Sequence, residues 1–556
     1  MATSFLPKPF AHHYEINPDY AKSVAYFSCE FAIDQVFKIY SGGLGFLAGS
    51  HMRAAADLKQ NLCGIGILWS YGYYDQARGE DRELAVQFRR KDYAFLQDTG
   101  IRFTVPVHGH PVWVKAVFLP GNVFGTVPMF FLTTDVEEND YLSRAITHRL
   151  YDQDNLRRIA QYIILGVGGA KLLEELGVNP EVWHLNEAHG LSAAFRLYDR
   201  MGGKVEEVRK RLVFTTHTPE EAGNEKHDFS VLRDFTFFDG AGEDVVRHIT
   251  GMEGDVFNHS LAALRLARIA NGVSKLHGEV ARDMWKGYRD VCPITHVTNA
   301  QNKKFWADHG LEHARKRGDS VELRHRKREL KERLFRVVAN QTGKLFDPAV
   351  LTIVWARRFA GYKRPDLITR DMKLFREMLG NSNYPVQVIW AGKPYPFDFS
   401  AIETFNHLIR LTRDFPNAAV LIGYELELSR FLKNGSDIWL NNPVVTREAS
   451  GTSGMTAAMN ASVNLSTFDG WVCEFARDGE NCFIIPEADR SLSPEERDRS
   501  DMHGFYQTMN QRVLPVYYDE PTEWDRVVMN SMNDVAPFFD ADRMADEYYR
   551  KIYATD

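Results

Sequence analysis

Short apolar runs alternate with segments of helical periodicity along almost the whole chain. One series comprises Val24–Phe27, Val112–Phe118, Met129–Leu132, Val182–Leu185 and Leu212–Thr215; a second comprises Leu351–Trp355, Val386–Trp390, Ala419–Ile422 and Ile438–Leu440. Runs this short, rich in β-branched and aromatic residues and separated by longer helical patterns, predict parallel strands in β-α-β units. Two series predict two sheets, and hence an α/β fold of two doubly wound, Rossmann-like domains facing across a cleft. Between the series, Ser320–Ala339 reads as a long charged helix whose Leu330, Leu334, Val337 and Val338 recur at three- and four-residue steps, giving one buried stripe. The basic stretch Arg324–Arg328 on that helix is flanked by Glu322, Glu329 and Glu332 and reads as a solvated face. The expected organisation is an N-terminal domain over 1–300, a linker helix region over 301–345, a C-terminal domain over 346–490, and helices over 491–556 packing back across the domains.

Composition narrows the function classes. The 556 residues include 67 basic and 74 acidic side chains, a net charge of −7, which argues against a dedicated nucleic-acid binder. There is no apolar run of membrane-spanning length, and the N-terminus lacks the pattern of a secretory leader. Five scattered cysteines, Cys29, Cys63, Cys292, Cys473 and Cys482, form no Cys-x-x-Cys pair and read as reduced thiols in a cytoplasmic protein.

Four segments carry candidate chemistry. Tyr40–Gly49 contains Gly-x-Gly-x-x-Ala at Gly43, Gly45 and Ala48, either an anion-binding helix start or simply a tight turn. Trp355–Arg364 places Arg357, Arg358, Lys363 and Arg364 at the end of a strand, a density of cations suited to phosphate oxygens. In Arg447–Met455, Ser, Gly and Thr precede a helix start, with Glu448 just before; taken alone, Glu448 reads better as a helix cap than as a sugar ligand. His184, His189 and His217 fall at strand ends, but no third ligand at helical spacing makes a metal site of them; Asp152 and Asp154 read as surface ion-pairing groups in an Arg-rich stretch.

Taken together these segments resemble the α-glucan phosphorylases, the glycogen and maltodextrin phosphorylase family of retaining glycosyltransferases. The blocks Tyr26–Phe31, Tyr40–Gly49, Val182–His189, Phe214–Pro219, Val297–Asn299, Ala356–Arg364, Ala391–Lys393, Glu448–Met455 and Leu465–Gly470 stand in the family's order, in a chain shorter than typical members. The resemblance implies a GT-B fold. It implies a glycine loop at Gly42 and Gly43, a backbone carbonyl of His217 facing the sugar, and sugar contacts from Asn186, His189, Asn299 and Glu448. Phosphate-binding cations would be Arg358 and Lys363, and Ser450, Gly451 and Thr452 would complete the pocket. His217, Arg358, Lys363 and Glu448 are the expected catalytic set.

The chain departs from the family's pattern in two places. Thr456 stands where the family places the lysine that holds pyridoxal 5′-phosphate as an imine, and Ala300-Gln301 alter the loop after Val297-Thr-Asn299. A hydroxyl cannot form an imine, so no covalently bound pyridoxal phosphate is expected and no metal either. The leading expectation is a hexosyltransferase using a phosphate-activated donor, a nucleoside-diphosphate-sugar, with a carbohydrate or small-molecule acceptor. One alternative is an α-glucan phosphorylase producing glucose 1-phosphate with noncovalent pyridoxal phosphate or none. Another is an inactive glucan-binding relative. No nucleic-acid or membrane partner is expected; family members are often dimers, so a homodimer is.

Overall fold

The computed structural model describes residues 2–554. They form two compact units: one comprises 2–73, 88–302 and 541–554, the other 74–87 and 303–540. Each is built on its own parallel sheet.

The first unit holds a nine-stranded sheet in the order Ile294–His296, Ile269–Gly272, Leu212–Thr215, Val182–Asn186, Val24–Phe27, Leu62–Ile67, Met129–Thr133, His110–Leu119, Gln97–Val107. The strands from Ile294–His296 through Met129–Thr133 are parallel. Its last two are antiparallel, so the run Val112–Phe118 belongs to a long hairpin rather than to a β-α-β unit. The hairpin shows in its burial: residues 97–104 run mostly exposed or intermediate, whereas Val24–Phe27 and Leu62–Ile67 are buried throughout. Leu62-Cys-Gly-Ile-Gly-Ile67 escaped the strand pattern because its two glycines interrupt the apolar run. Both glycines are closely packed: a Cβ on Gly64 would lie 3.1 Å from the side chains of Met129 and Met52, and one on Gly66 3.0 Å from Phe31, so those side chains would have to give.

The second unit holds a six-stranded, wholly parallel sheet in the order Ala418–Leu421, Val386–Ala391, Leu351–Ala356, Ile438–Asn441, Val463–Ser466, Cys482–Ile484. Its core gathers Trp355, Phe359, Phe375, Trp390, Phe405 and Phe505 on one side and Leu334, Val338, Leu421, Leu432 and Trp439 on the other. The long helix runs Ser320–Thr342 and stops at Gly343, whose φ of +75° suits glycine. Its buried side is Leu323, Lys327, Leu330, Lys331, Leu334, Phe335 and Val338, with Val337 only partly covered. It is therefore an integral helix of this unit, packed over Leu426–Gly435: a Cβ on Gly435 would lie 2.7 Å from Leu334. A hairpin, Asp75–Arg78 paired with Leu84–Gln87, also belongs to this unit although its chain neighbours belong to the first.

Candidate functional site

The expected site residues fall in both units. In the first, the helix Gly43–Asp57 begins at Gly43 with Gly42 at its N-cap, so the glycine loop does open a helix, and the first-turn N–H groups have no intrahelical partner. A Cβ on Gly42 or Gly43 would meet nothing within 4 Å, so crowding by the chain is not the reason for glycine there. Behind the loop lies Glu30, fully buried. Its carboxylate accepts the N–H groups of Ser41 at 2.6 Å and Gly42 at 3.2 Å, and the hydroxyl of Tyr151 at 2.8 Å. The Gly42 amide is thus already engaged, which leaves the amides from Gly43 onward to face a ligand. Burial raises the Glu30 carboxyl above its ordinary value, and the donated N–H and O–H groups oppose the rise.

His217 follows the strand Leu212–Thr215, and Asn186 ends the strand Val182–Asn186 beside it. The His217 ring meets Asn186 Oδ1 at 2.7 Å through Nε2, and Asn186 Nδ2 donates to Ser28 at 3.1 Å. Burial lowers the imidazole to about 3, so the ring is neutral and Nε2 carries its proton toward the amide oxygen. Glu187, absent from the expected set, accepts the His217 N–H and, at 3.3 Å, the Thr218 hydroxyl. It sits at φ +66°, in the left-handed region, and burial pushes its carboxyl up to about 7. His189 stacks on Tyr162 with ring centroids 5.2 Å apart. Its Nδ1 is buried without a partner, as is Asn299 Oδ1, while Asn299 N–H donates to Val273 O. Orphaned polar atoms at two expected sugar ligands are what a binding pocket presents before its ligand satisfies them. His184 is structural: its two nitrogens meet Tyr553 and Thr215 at 2.7 and 2.8 Å.

In the second unit the cation-rich segment splits. Arg357 and Arg364 are buried and spoken for: Arg357 donates to Leu440 O, and Arg364 pairs with Asp498 and Asp501 at 2.8 and 2.7 Å. Arg358 is exposed and Lys363 partly exposed, unlike the other two. Lys363 forms an ion pair with Glu448. Glu448 therefore does not cap the helix Ser453–Ala458, which has no side-chain cap at all. Instead its N–H donates to Asp469 at 3.0 Å. Burial, with the like charge of Glu448 among the further causes, pushes the Asp469 carboxyl up to about 7. Gly451 has φ +76°, and Gly470 is demanded by contact, since a Cβ there would lie 2.3 Å from Ser450 O. Trp471 N–H donates to the same carbonyl, so Ser450-Gly451-Thr452 is a loop braced from behind.

Thr456 is buried in the helix Ser453–Ala458, and its hydroxyl donates to Ser453 O at 3.0 Å. Asn460 bolts that helix down, donating to Thr456 O at 2.7 Å and to Trp306 O at 3.0 Å and receiving the Lys327 ammonium on its own carbonyl. Imine-bound pyridoxal phosphate does not fit this position, which offers no amine. The signal for Glu30 and Glu187 lay in the matched blocks, but only the fold shows which amides they accept. Among the described residues no group of three His, Cys, Asp or Glu is placed to hold a metal ion. Asp152 instead pairs with Arg157 at 2.9 Å and Asp154 caps the helix Asn155–Ile163.

A sequence model of the family described as carbohydrate phosphorylase matches residues 310–502. Maltodextrin phosphorylase of Thermococcus litoralis is 33% identical over 97% of this chain and 71% of its own length. The chain is a member of the α-glucan phosphorylase family. Glycogen phosphorylase of Mycobacterium tuberculosis, another member, is 32% identical over 96% of this chain and 70% of its own. An uncharacterised protein of Methanocaldococcus jannaschii is 47% identical over 96% of this chain and all of its own. Family membership covers the glycine loop as well as the cation segment, since the relatives' matches extend well beyond 310–502. No helix among the described residues is long and apolar enough to cross a membrane.

Proposed function

We propose that the protein is a retaining hexosyltransferase that moves a sugar from a phosphate-activated donor and works without imine-bound pyridoxal phosphate. The observation that carries this reading is the Lys363–Glu448 pair, with Arg358 exposed in the same chain segment. A cation held in place by a buried carboxylate costs little reorganisation when charge develops on a leaving phosphate. Arg358, Lys363 and the amides from Gly43 onward would stabilise the departing oxyanion. Glu448 and the unpartnered Asn299 Oδ1 would accept sugar hydroxyls, and the His217 carbonyl would face the anomeric carbon as positive charge grows there. The neutral His217 ring takes no part in proton transfer; its bond to Asn186 fixes the backbone turn instead. Catalysis on this reading is positioning and electrostatics.

For the donor, the preferred reading is a nucleoside-diphosphate-sugar, which needs two adjacent anion pockets and no pyridoxal phosphate. The relatives' names, maltodextrin phosphorylase and glycogen phosphorylase, favour a second reading, phosphorolysis of an α-glucan. The purified protein is to be assayed with nucleotide sugars and, separately, with maltodextrin plus inorganic phosphate. Release of nucleoside diphosphate coupled to sugar transfer is expected, falling about 100-fold or more in Arg358→Ala. Phosphorolysis with no response to nucleotide sugars overturns the donor. Borohydride reduction with added pyridoxal phosphate tests the cofactor: a pyridoxyl adduct on any lysine overturns the imine-free reading. Lys327, lowered to about 7 by burial, is the amine to inspect first.

A further inference from the structure

The second unit contains a cavity of about 260 Å³ that none of the expected site residues lines; Arg78, Arg82, Lys344 and Arg413 line it with Gln341 and Thr412. Three guanidiniums line it, and no carboxylate among the described residues pairs with any of them, whereas the Lys344 ammonium is taken up by backbone carbonyls. Of the carboxylates nearest in sequence, Glu83 pairs with Arg410 at 2.7 Å, and Asp81 accepts the Glu83 N–H at 2.9 Å. Asp414 acts on Lys344, whose ammonium donates to the carbonyls of Thr412, Phe415 and Ala418. None of the ion pairs among the described residues reaches Arg78, Arg82 or Arg413.

The arrangement is also built. Arg78 is fixed by donating to Arg82 O at 2.8 Å and to Val420 O at 2.7 Å, and its Nε is buried with no partner. Arg413 donates to Asp81 O at 2.7 Å, tying the end of the helix Phe399–Thr412 to the hairpin turn. Arg82 occupies φ +67°, where glycine or asparagine would be cheaper. Burial and the like charges of Arg82 and Arg413 lower the Arg78 guanidinium, so folding holds the three together against their repulsion.

We propose that this cavity is a binding site for the phosphoryl group of a small phosphorylated molecule. The guanidinium forks of Arg82 and Arg413 would close on a group that Arg78 receives from below. A phosphoryl group offers three terminal oxygens to converging forks, and a carboxylate only two. The volume is somewhat below the usual range for drug-sized ligands, which fits a monosaccharide-phosphate scale rather than a dinucleotide.

The test is calorimetric titration of the full chain with pyrophosphate, comparing wild type with Arg82→Ala/Arg413→Ala. Both side chains are exposed, so circular dichroism and the melting point without pyrophosphate stay as in wild type. Wild type is expected to take up one equivalent more than the double variant, with the affinity for that equivalent reduced about tenfold by either single change. The difference is read whether or not Arg358 and Lys363 also bind pyrophosphate, so the result is independent of the function proposed above. Equal uptake by both proteins overturns the site. Citrate displacing that equivalent as effectively as inorganic phosphate overturns the phosphoryl assignment.

Discussion

At the scale of single residues, the site depends on carboxyls buried behind the groups expected to touch substrate. Glu187 is the sharpest case. It receives the His217 N–H and the Thr218 hydroxyl, yet burial outweighs both and lifts its carboxyl to about 7. The linkage sign follows: a carboxyl raised above its unfolded value of about 4.3 contributes stability that is whole below pH 4 and is lost as pH rises through about 7. Glu187→Gln removes that titration. Its unfolding free energy is expected to vary less with pH between 4 and 7 than that of wild type, by on the order of 3 kcal/mol. Denaturant melts across that range check it. Equal pH slopes would place the Glu187 carboxyl at an ordinary value.

At the scale of elements, two glycines of one helix play opposite parts. Gly42 and Gly43 face open space at the start of Gly43–Asp57, whereas a Cβ on Gly49 would lie 2.0 Å from Ala32 O. That backbone oxygen cannot move aside without disturbing the Ala32 N–H to Gly45 O bond at 2.8 Å. Gly49→Ala is therefore expected to cost about 2 kcal/mol despite the better helix propensity of alanine. Gly42→Ala should leave stability within about 0.5 kcal/mol of wild type while weakening ligand binding. Urea unfolding of both variants separates steric from ligand-driven use of glycine.

For the whole molecule, the tail 541–554 belongs to the first unit, although the helices before it belong to the second. Ala541–Tyr548, continued by Tyr549–Tyr553, lays Met544, Tyr548, Ile552 and Tyr553 into the first unit's core. Tyr553 bonds His184 and Tyr548 bonds Asn271, both strand residues of that sheet. At roughly 2 kcal/mol for each large side chain buried, the tail contributes an amount comparable with a domain's whole stability. Deleting 541–556 should leave the first unit unfolded at 37 °C and cleaved within its strands by a dilute protease. Protection equal to the full chain would show that the tail is dispensable.

The apolar runs determined the two sheets, because a strand buried on both faces must be apolar at every position, and Leu351–Trp355 or Val182–Leu185 shows that in one dimension. The order of the motif blocks pointed to the family that the relatives show, because that succession of glycine-loop, cation and helix-start segments is more specific than any one of them. Strand direction at the sheet's edge was not legible in the run Val112–Phe118, because an apolar run carries no orientation. Nor was the division of the cations, with Arg357 and Arg364 given to Leu440, Asp498 and Asp501, and Lys363 to Glu448. Charge pairing joins Arg364 to Asp498 and Asp501 and Lys363 to Glu448 across long stretches of chain, so only the folded chain decides which carboxylate each cation meets.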